Sequence, residues 1–409
     1  MRVHFPERYE AHRIRDIERL TFMAEQFGLT YQQFYESGWD HEGIKEMTDI
    51  DNNVAPPAEA PKARRGRKPA APAKSSQAAA LEAALAFVLP VSSDIADFSQ
   101  FVNLSGNMAI MYNGQIAAGH PIVEELTVSP QIDKIMAALK RCGKSLALTE
   151  TEAGQLSIKG ENLRVLVPCL PTEQLGQISP DAPLVAGDFN KLKEAFKICG
   201  LLASEKGERV IEASLLLGPN TCTGTNGFAL LQYWHGIAEL PPELVLPKIF
   251  CAAVASCAKD ITGLGGTWNA EAGLMSSFTV WFDGGAWIKT QCYNDRWPSL
   301  AHILDIASAP QPISPELANA VAVLEPFIDP ELNFVLFKDG FVQTNDSSEV
   351  GAQYAVPGLI GGKNFNAKVL KTVAPYVGRI DLTTYPDKAM FFGGEPANPI
   401  RGAFMGIVK

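Results

Sequence analysis

Ser129-Pro-Gln-Ile-Asp-Lys-Ile-Met-Ala-Ala-Leu-Lys-Arg-Cys142 reads as a helix, and its recurrence decides the fold. The same kind of segment returns as Pro247-Lys-Ile-Phe-Cys-Ala-Ala-Val-Ala-Ser-Cys257 and as Asn366-Ala-Lys-Val-Leu-Lys-Thr-Val-Ala-Pro375, with starts about 118 residues apart. A pair of strands parted by a turn comes after each helix. In the first unit these are 145–150 and 163–167, around Gly154 and Gly160; in the third they are 380–384 and 403–408, with 388–392 between. A further helix opens each unit, at 78–88, 188–202 and 315–327. A period this long describes tandem domains, not a solenoid. The expected division is therefore 78–180, 181–303 and 304–409, three α+β units in a row.

Composition narrows the function classes. The chain has 409 residues, 46% hydrophobic and 20% charged, with 35 basic against 45 acidic side chains and a net charge of −10. It is long enough for several hydrophobic cores without disulfide or metal staples. It is no polycation, although a local basic surface stays compatible with the total. Seven cysteines at 142, 169, 199, 222, 251, 257 and 292 form no CxxC pair and have no histidine cluster beside them. That excludes a zinc ligand set and a secreted disulfide framework, and points to reduced thiols in a cytosol. No signal-peptide core and no run of about 18 apolar residues occurs, so a cytoplasmic protein without a membrane span is expected.

Enzyme motifs fail on inspection. Gly143-Lys144-Ser145 resembles the end of a P-loop, but the glycine required five positions earlier is Ala138, and the order helix, Gly-Lys-Ser, strand is inverted. His120, His235 and His302 are isolated, and the adjacent carboxylates Glu124 and Glu125 face opposite sides of a strand. The expectation is a protein without catalysis and without a cofactor.

Ahead of the repeats lie two segments of different texture. Residues 1–50 carry helix-period apolar positions, Ile14, Ile17, Leu20 and Met23, and read as helices at 9–27 and 31–36, a small helical module. Residues 51–77 are a linker rich in proline and alanine. It contains Lys62-Ala-Arg-Arg-Gly-Arg-Lys-Pro69, in which Arg65-Gly66-Arg67 resembles an AT-hook except that Lys68 intervenes before the proline. Arg65 and Arg67 are thus candidates for contact with DNA, through phosphates at the least.

Three tandem units with two helices each resemble the bacterial-type DNA polymerase III beta sliding clamp, and local strings carry the likeness. Thr225-Asn-Gly-Phe-Ala-Leu-Leu231, with Leu244-Val-Leu-Pro-Lys248 a short interval on, is similar to that family's Thr-Asp-Gly-His-Arg-Leu turn and next helix start. Asn294-Asp-Arg-Trp-Pro-Ser-Leu300 resembles the Gly-Arg-Phe-Pro-Asp-Tyr string that closes the second domain, and Leu170-Pro171 takes the matching place in the first. Ala403-Phe-Met-Gly-Ile-Val-Lys409 resembles the terminal apolar strand. The resemblance covers about residues 78–409, and its divergence implies a phage-encoded member.

The resemblance implies DNA-clamp domains, each with two helices packed on antiparallel sheets, and a head-to-tail homodimeric ring around duplex DNA. It implies no catalysis; the ring tethers a replicative polymerase and clamp-loader subunits through short hydrophobic peptides. The helices that would line the hole carry suitable charge. Lys193 and Lys197 share a face opposite Leu192 and Phe196, Lys134 aligns with Arg141, and Lys248 returns to one side with Lys259. Lys368 and Lys371 face away from the Val369, Leu370 and Val373 stripe, and Arg209 sits where the family approaches DNA. The partner-peptide pocket implied by the family falls on Thr225, Gly227, Phe228, Leu230, Pro247, Ala252, Met405 and Ile407. Phe228 and Ala229 replace the family's His-Arg, and Gly406 replaces a proline, which makes the pocket more apolar. Subunit contact falls on Val165 and Val167 of an edge strand and on Phe327 and Ile328 at a helix end. The other reading is a non-encircling DNA-binding or recruitment protein that works through the N-terminal module and basic linker.

Overall fold

Helices form where the apolar spacing places them. They are α1 Gln77–Val88, α2 Ile132–Leu139, α3 Asn190–Cys199, α4 Val210–Ala213, α5 Lys248–Ser256, α6 Ala301–Leu304, α7 Glu316–Leu324 and α8 Ala367–Val373. In α3, Leu192, Ala195, Phe196 and Cys199 are buried, the i, i+3, i+4, i+7 stripe of a helix lying on a core. Asn366 caps α8 by accepting the backbone N–H of Val369 at 3.1 Å, which satisfies a donor that the first helical turn leaves open. Pro247 precedes α5, where its missing N–H costs nothing. Three helix pairs result: α1 with α2, α3 with α5, and α7 with α8.

This computed structural model describes residues 77–407 apart from 94–96, 143–144, 186–187, 205, 307, 345–350 and 396–397. The expected helices at 9–27 and 31–36, the linker with Arg65 and Arg67, and the Gly143-Lys144 turn lie outside the described residues. The described chain forms two compact units, a larger one of 70–227 and 234–297 and a smaller one of 228–233 and 298–409.

In the larger unit, strands β1 Asn103–Ser105, β2 Met108–Tyr112, β3 Ile116–Pro121, β8 Pro183–Val185, β13 Ile261–Asn269, β14 Leu274–Phe282 and β15 Ala286–Gln291 form one antiparallel sheet. Its order is β1-β2-β3-β15-β14-β13-β8. Residues 116–119 of β3 pair with 287–290 of β15, so this sheet crosses the boundary expected at 180. A second sheet has the order β4-β7-β6-β5, from Ser129–Pro130, Ala147–Glu150, Gln155–Lys159 and Arg164–Leu170 in chain order. Strands β9 Ser214–Leu217, β10 Thr221–Thr225 and β12 Leu244–Pro247 complete the unit, with β9 between the other two. Phe196 of α3, Phe250 of α5 and Phe278 of β14 stack edge to face at 6.4 and 6.1 Å between centroids. Each such buried ring contributes about 1.5–3 kcal/mol of burial.

The smaller unit contains β11 Ala229–Trp234, β16 Gln311–Pro312, β21 Arg379–Asp381, β22 Ala389–Glu395 and β23 Asn398–Phe404, with β23 between β11 and β22. A four-stranded sheet, β17 Phe334–Lys338, β18 Phe341–Gln343, β19 Gln353–Ala355 and β20 Lys363–Asn366, packs with α7 and α8. Phe365 joins the two, with ring centroids 4.8 Å from Phe337 and 5.0 Å from Phe404. The last strand differs from the expected 403–408. It runs from Asn398 to Phe404, because residues 398–404 pair along β22 while Met405 and Ile407 turn to other partners.

Candidate nucleic-acid interface and partner-binding residues

The six longer helices hold seven lysines, at 134, 191, 193, 197, 248, 368 and 371, against four carboxylates, Glu82, Asp133, Glu194 and Glu316. Positive charge is thus concentrated on helices of a chain whose total is −10. Lys134, Arg141, Lys197 and Lys368 are exposed and Lys248 is half-buried; none has a side-chain partner among the described residues.

The remaining basic residues are engaged. Lys193 does not extend outward with Lys197: its Nζ donates to the carbonyl of Cys257 at 2.9 Å and also to that of Lys259, and stands 5.8 Å from the Phe282 ring. It thereby caps the end of α5, where carbonyls lack helical partners. Lys259 donates to the carbonyl of Asp283 at 3.1 Å and lies over Phe87. Lys371 bonds both oxygens of Glu325 at 2.7 and 2.6 Å. Arg209 pairs with Glu212, three residues on.

The expected partner-peptide residues divide by exposure. In the larger unit Thr225 ends β10, and its Oγ1 accepts the N–H of Gly227 at 3.1 Å. Gly227 has φ +82°, the left-handed region, which suits glycine. Pro247 is buried and Ala252 exposed. In the smaller unit Phe228 is 65% and Met405 49% exposed, and the Met405 N–H donates to the Phe228 carbonyl at 2.9 Å. Leu230 is closed off, packed with Leu304, Met390, Phe392 and Ala403, so it supports the surface from below instead of lining it. The Ile407 carbonyl accepts the hydroxyl of Tyr385 at 2.7 Å, and the Tyr385 ring lies against Gly406, where any side chain would collide. That contact accounts for glycine at 406.

At the expected subunit contact, β7 pairs with β6 on one edge, whereas on the other only Cys169 and Leu170 pair, with β4. Among the described residues, 164–167 have no strand on that side. Val165 is half-buried and Val167 wholly buried; Leu166 between them is 50% exposed. Alternation gave the shared face of the two valines, but that face is the inner one. Phe327 is exposed and Ile328 half-buried.

Buried Asp181 is held by a set of hydrogen bonds within the larger unit. Burial alone would raise the pKa of Asp181, but hydrogen bonds from Thr267, Lys289, Thr279 and Ser277 outweigh it and hold the carboxyl below its ordinary value. All seven cysteines are free; burial pushes the Cys292 thiol up to about 12. Among the described residues no three His, Cys, Asp or Glu side chains gather as a metal site, and no helix is long and apolar enough to cross a membrane.

Three helix pairs on antiparallel sheets define the fold of the bacterial DNA polymerase III beta sliding clamps. A Pseudomonas aeruginosa DNA polymerase sliding clamp superimposes with a TM-score of 0.68 at 14% identity, over 81% of this chain and 98% of that one. A Helicobacter pylori beta clamp bound to a DNA ligase peptide gives a TM-score of 0.65 at 12% identity, over 80% and 98%. A P. aeruginosa clamp bound to griselimycin gives 0.66 at 14% identity, over 81% and 98%. No protein-family profile and no curated protein sequence matches the chain.

Proposed function

We propose that this protein is a DNA sliding clamp, a non-catalytic processivity factor that encircles duplex DNA as a head-to-tail homodimer. The observation that carries this reading is the likeness of fold to the P. aeruginosa and H. pylori clamps over 98% of the length of each. The excess of lysine on the helices supports it. A ring holds DNA by enclosure, so modest positive charge is enough to offset phosphate repulsion while allowing movement. Lys134, Arg141, Lys197, Lys248 and Lys368 are the candidates for that work, with Arg65 and Arg67 of the linker as auxiliaries. Lys193 and Lys259 shape the surface from within. Dimer contact would use the open edge at 164–167, with Leu166 beside Val165, and the exposed Phe327 with Ile328.

A polymerase, a clamp loader and other DNA-processing proteins would dock by short hydrophobic peptides; the H. pylori clamp of this fold takes a DNA ligase peptide. Exposed Phe228 and Met405 of the smaller unit, with Ile407, supply apolar surface for such an anchor, and Thr225, Gly227 and Ala252 of the larger unit are separate candidates for contact. The setting would be a bacterial cytoplasm, and a phage-encoded origin fits the low identity.

Retention on closed circular plasmid, compared with the same plasmid linearised, tests the proposal. A clamp loaded by its loader stays on the circle and is released by the cut. Equal retention on both forms would favour the groove-binding alternative. Reversing Lys134, Lys197 and Lys368 to glutamate should weaken retention and leave assembly intact.

A further inference from the structure

In an asparagine–glycine pair the glycine nitrogen reaches the asparagine side-chain amide with least hindrance, because glycine has no Cβ and the widest choice of φ and ψ. The sequence holds two such pairs, Asn113-Gly114 and Asn226-Gly227, and the fold treats them differently. Asn113 is buried, and its Oδ1 accepts the N–H groups of Gln115 at 3.0 Å and Ile116 at 2.9 Å. Both bonds must break before that amide can swing onto the Gly114 nitrogen. Asn226 is half-buried in the turn after β10, and Gly227 is exposed to water at φ +82°. The Gly227 N–H donates to the Thr225 hydroxyl at 3.1 Å. A Cβ on Gly227 would stand 2.7 Å from Arg209 Nη2 and 3.0 Å from Glu212 Oε1, so the Arg209–Glu212 ion pair lies against this turn.

We propose that Asn226 is a site of spontaneous deamidation, which makes the neutral turn at 225–227 anionic as the protein ages. The Gly227 nitrogen attacks Asn226 Cγ, and a nitrogen–carbon bond forms between them. The amide proton passes to solvent base, and the side-chain nitrogen leaves as ammonia. The product is a cyclic imide, formed within one chain and so favoured by proximity. Water then opens it. Cleavage at Cγ gives aspartate; cleavage at the main-chain carbonyl carbon gives isoaspartate, with the backbone running through the side chain. The sum is asparagine plus water to acid plus ammonia, with no oxidant and no cofactor. Arg209 and Glu212 cancel in charge, so the new carboxylate leaves the turn net negative and offers Arg209 a second acceptor. Thr225 and Gly227 are candidates for partner contact, so an acidic peptide then docks more weakly. That consequence rests on the docking reading, whereas the deamidation does not.

Tryptic mapping by mass spectrometry of the full chain, aged at mildly alkaline pH, tests the chemistry. Trypsin separates the two sites, Asn113 ahead of Lys134 and Asn226 between Arg209 and Lys248, and fragment sequencing assigns each asparagine. Asn226 should convert about tenfold faster than Asn113, which must first lose two hydrogen bonds. In guanidinium the two should convert at similar rates, since the brake on Asn113 is the fold. Asn226→Gln, whose longer side chain closes a less favourable ring, should remove the fast conversion. A native rate at Asn226 no greater than at Asn113, or the same difference in the unfolded chain, would overturn the proposal. Fluorescence anisotropy tests the consequence, with a labelled peptide that carries leucine and phenylalanine anchors and one aspartate. Asn226→Asp and the aged parent should bind it about threefold more weakly than fresh parent, and aged Asn226→Gln should keep the fresh affinity. Equal binding by Asn226→Asp would overturn the effect on docking. Binding by none of these proteins would remove the docking reading and leave the deamidation to the mass data.

Discussion

Helices α3 and α8 each carry two lysines on one face, and the structure uses them in opposite ways. On α3, Lys193 is drawn inward to the carbonyls of Cys257 and Lys259, and only Lys197 is left to the solvent. On α8, Lys371 meets Glu325 at the surface, with side chains 48% and 54% exposed, and Lys368 has no partner among the described residues. The same sequence pattern thus gives a structural cap in one place and an exchangeable surface charge in the other. What separates them is burial: a desolvated carbonyl or carboxylate needs its partner, whereas an exposed one has water. The Asp181–Lys289 pair of the larger unit lies at the buried extreme, with the carboxylate 4% exposed and hydroxyls of Thr267, Ser277 and Thr279 around it.

Asp181→Ala should therefore have the largest effect, a loss of about 3 kcal/mol read from urea unfolding, because it leaves three hydroxyls without their acceptor and Lys289 with only the Ser179 carbonyl. A loss below about 0.5 kcal/mol would place Asp181 among the surface charges. Acid should act on the larger unit at similar scale through His235. Burial lowers its pKa from the ordinary 6.5 to about 4, so the unfolded chain binds the proton first as pH falls. The stability held above pH 6.5 drains by about 3 kcal/mol as pH drops to 4. His235→Asn keeps an acceptor for the Ile237 N–H and should flatten that part of the pH profile. An unchanged slope would show that the imidazole is not the titrating group.

Lys193→Met should cost about 2 kcal/mol through two carbonyls left without a donor, with little direct change in DNA affinity. If DNA retention fell while unfolding stayed put, the contrast between α3 and α8 would collapse. Lys371→Ala should be the mildest, within about 0.5 kcal/mol, since it removes only an exposed pair.

These contrasts set the limit of what the sequence could tell. Helical periodicity located α3, α5 and α8 to within about two residues at their starts, because an apolar stripe is a local property. The end of the chain was misplaced because strand register is tertiary: β22 fixes residues 398–404, and Tyr385 holds Gly406 and Ile407 beyond them. Alternation in β7 put Val165 and Val167 on one face, yet which face is inward depends on the β6 and β4 partners, so the exposed Leu166 went unseen. Lys193 shared its face with Lys197 as read, but its acceptors lie more than sixty residues away in the chain. Arg209 reads from the sequence as a cation placed for DNA, whereas in the structure Glu212, three residues on, pairs with it.

Imaging of the purified particle by electron microscopy, with its native mass measured on the same sample, tests the central proposal most directly. Two chains enclosing a hole wide enough for duplex DNA are predicted. Filled particles, or a lone chain at every concentration, would contradict it.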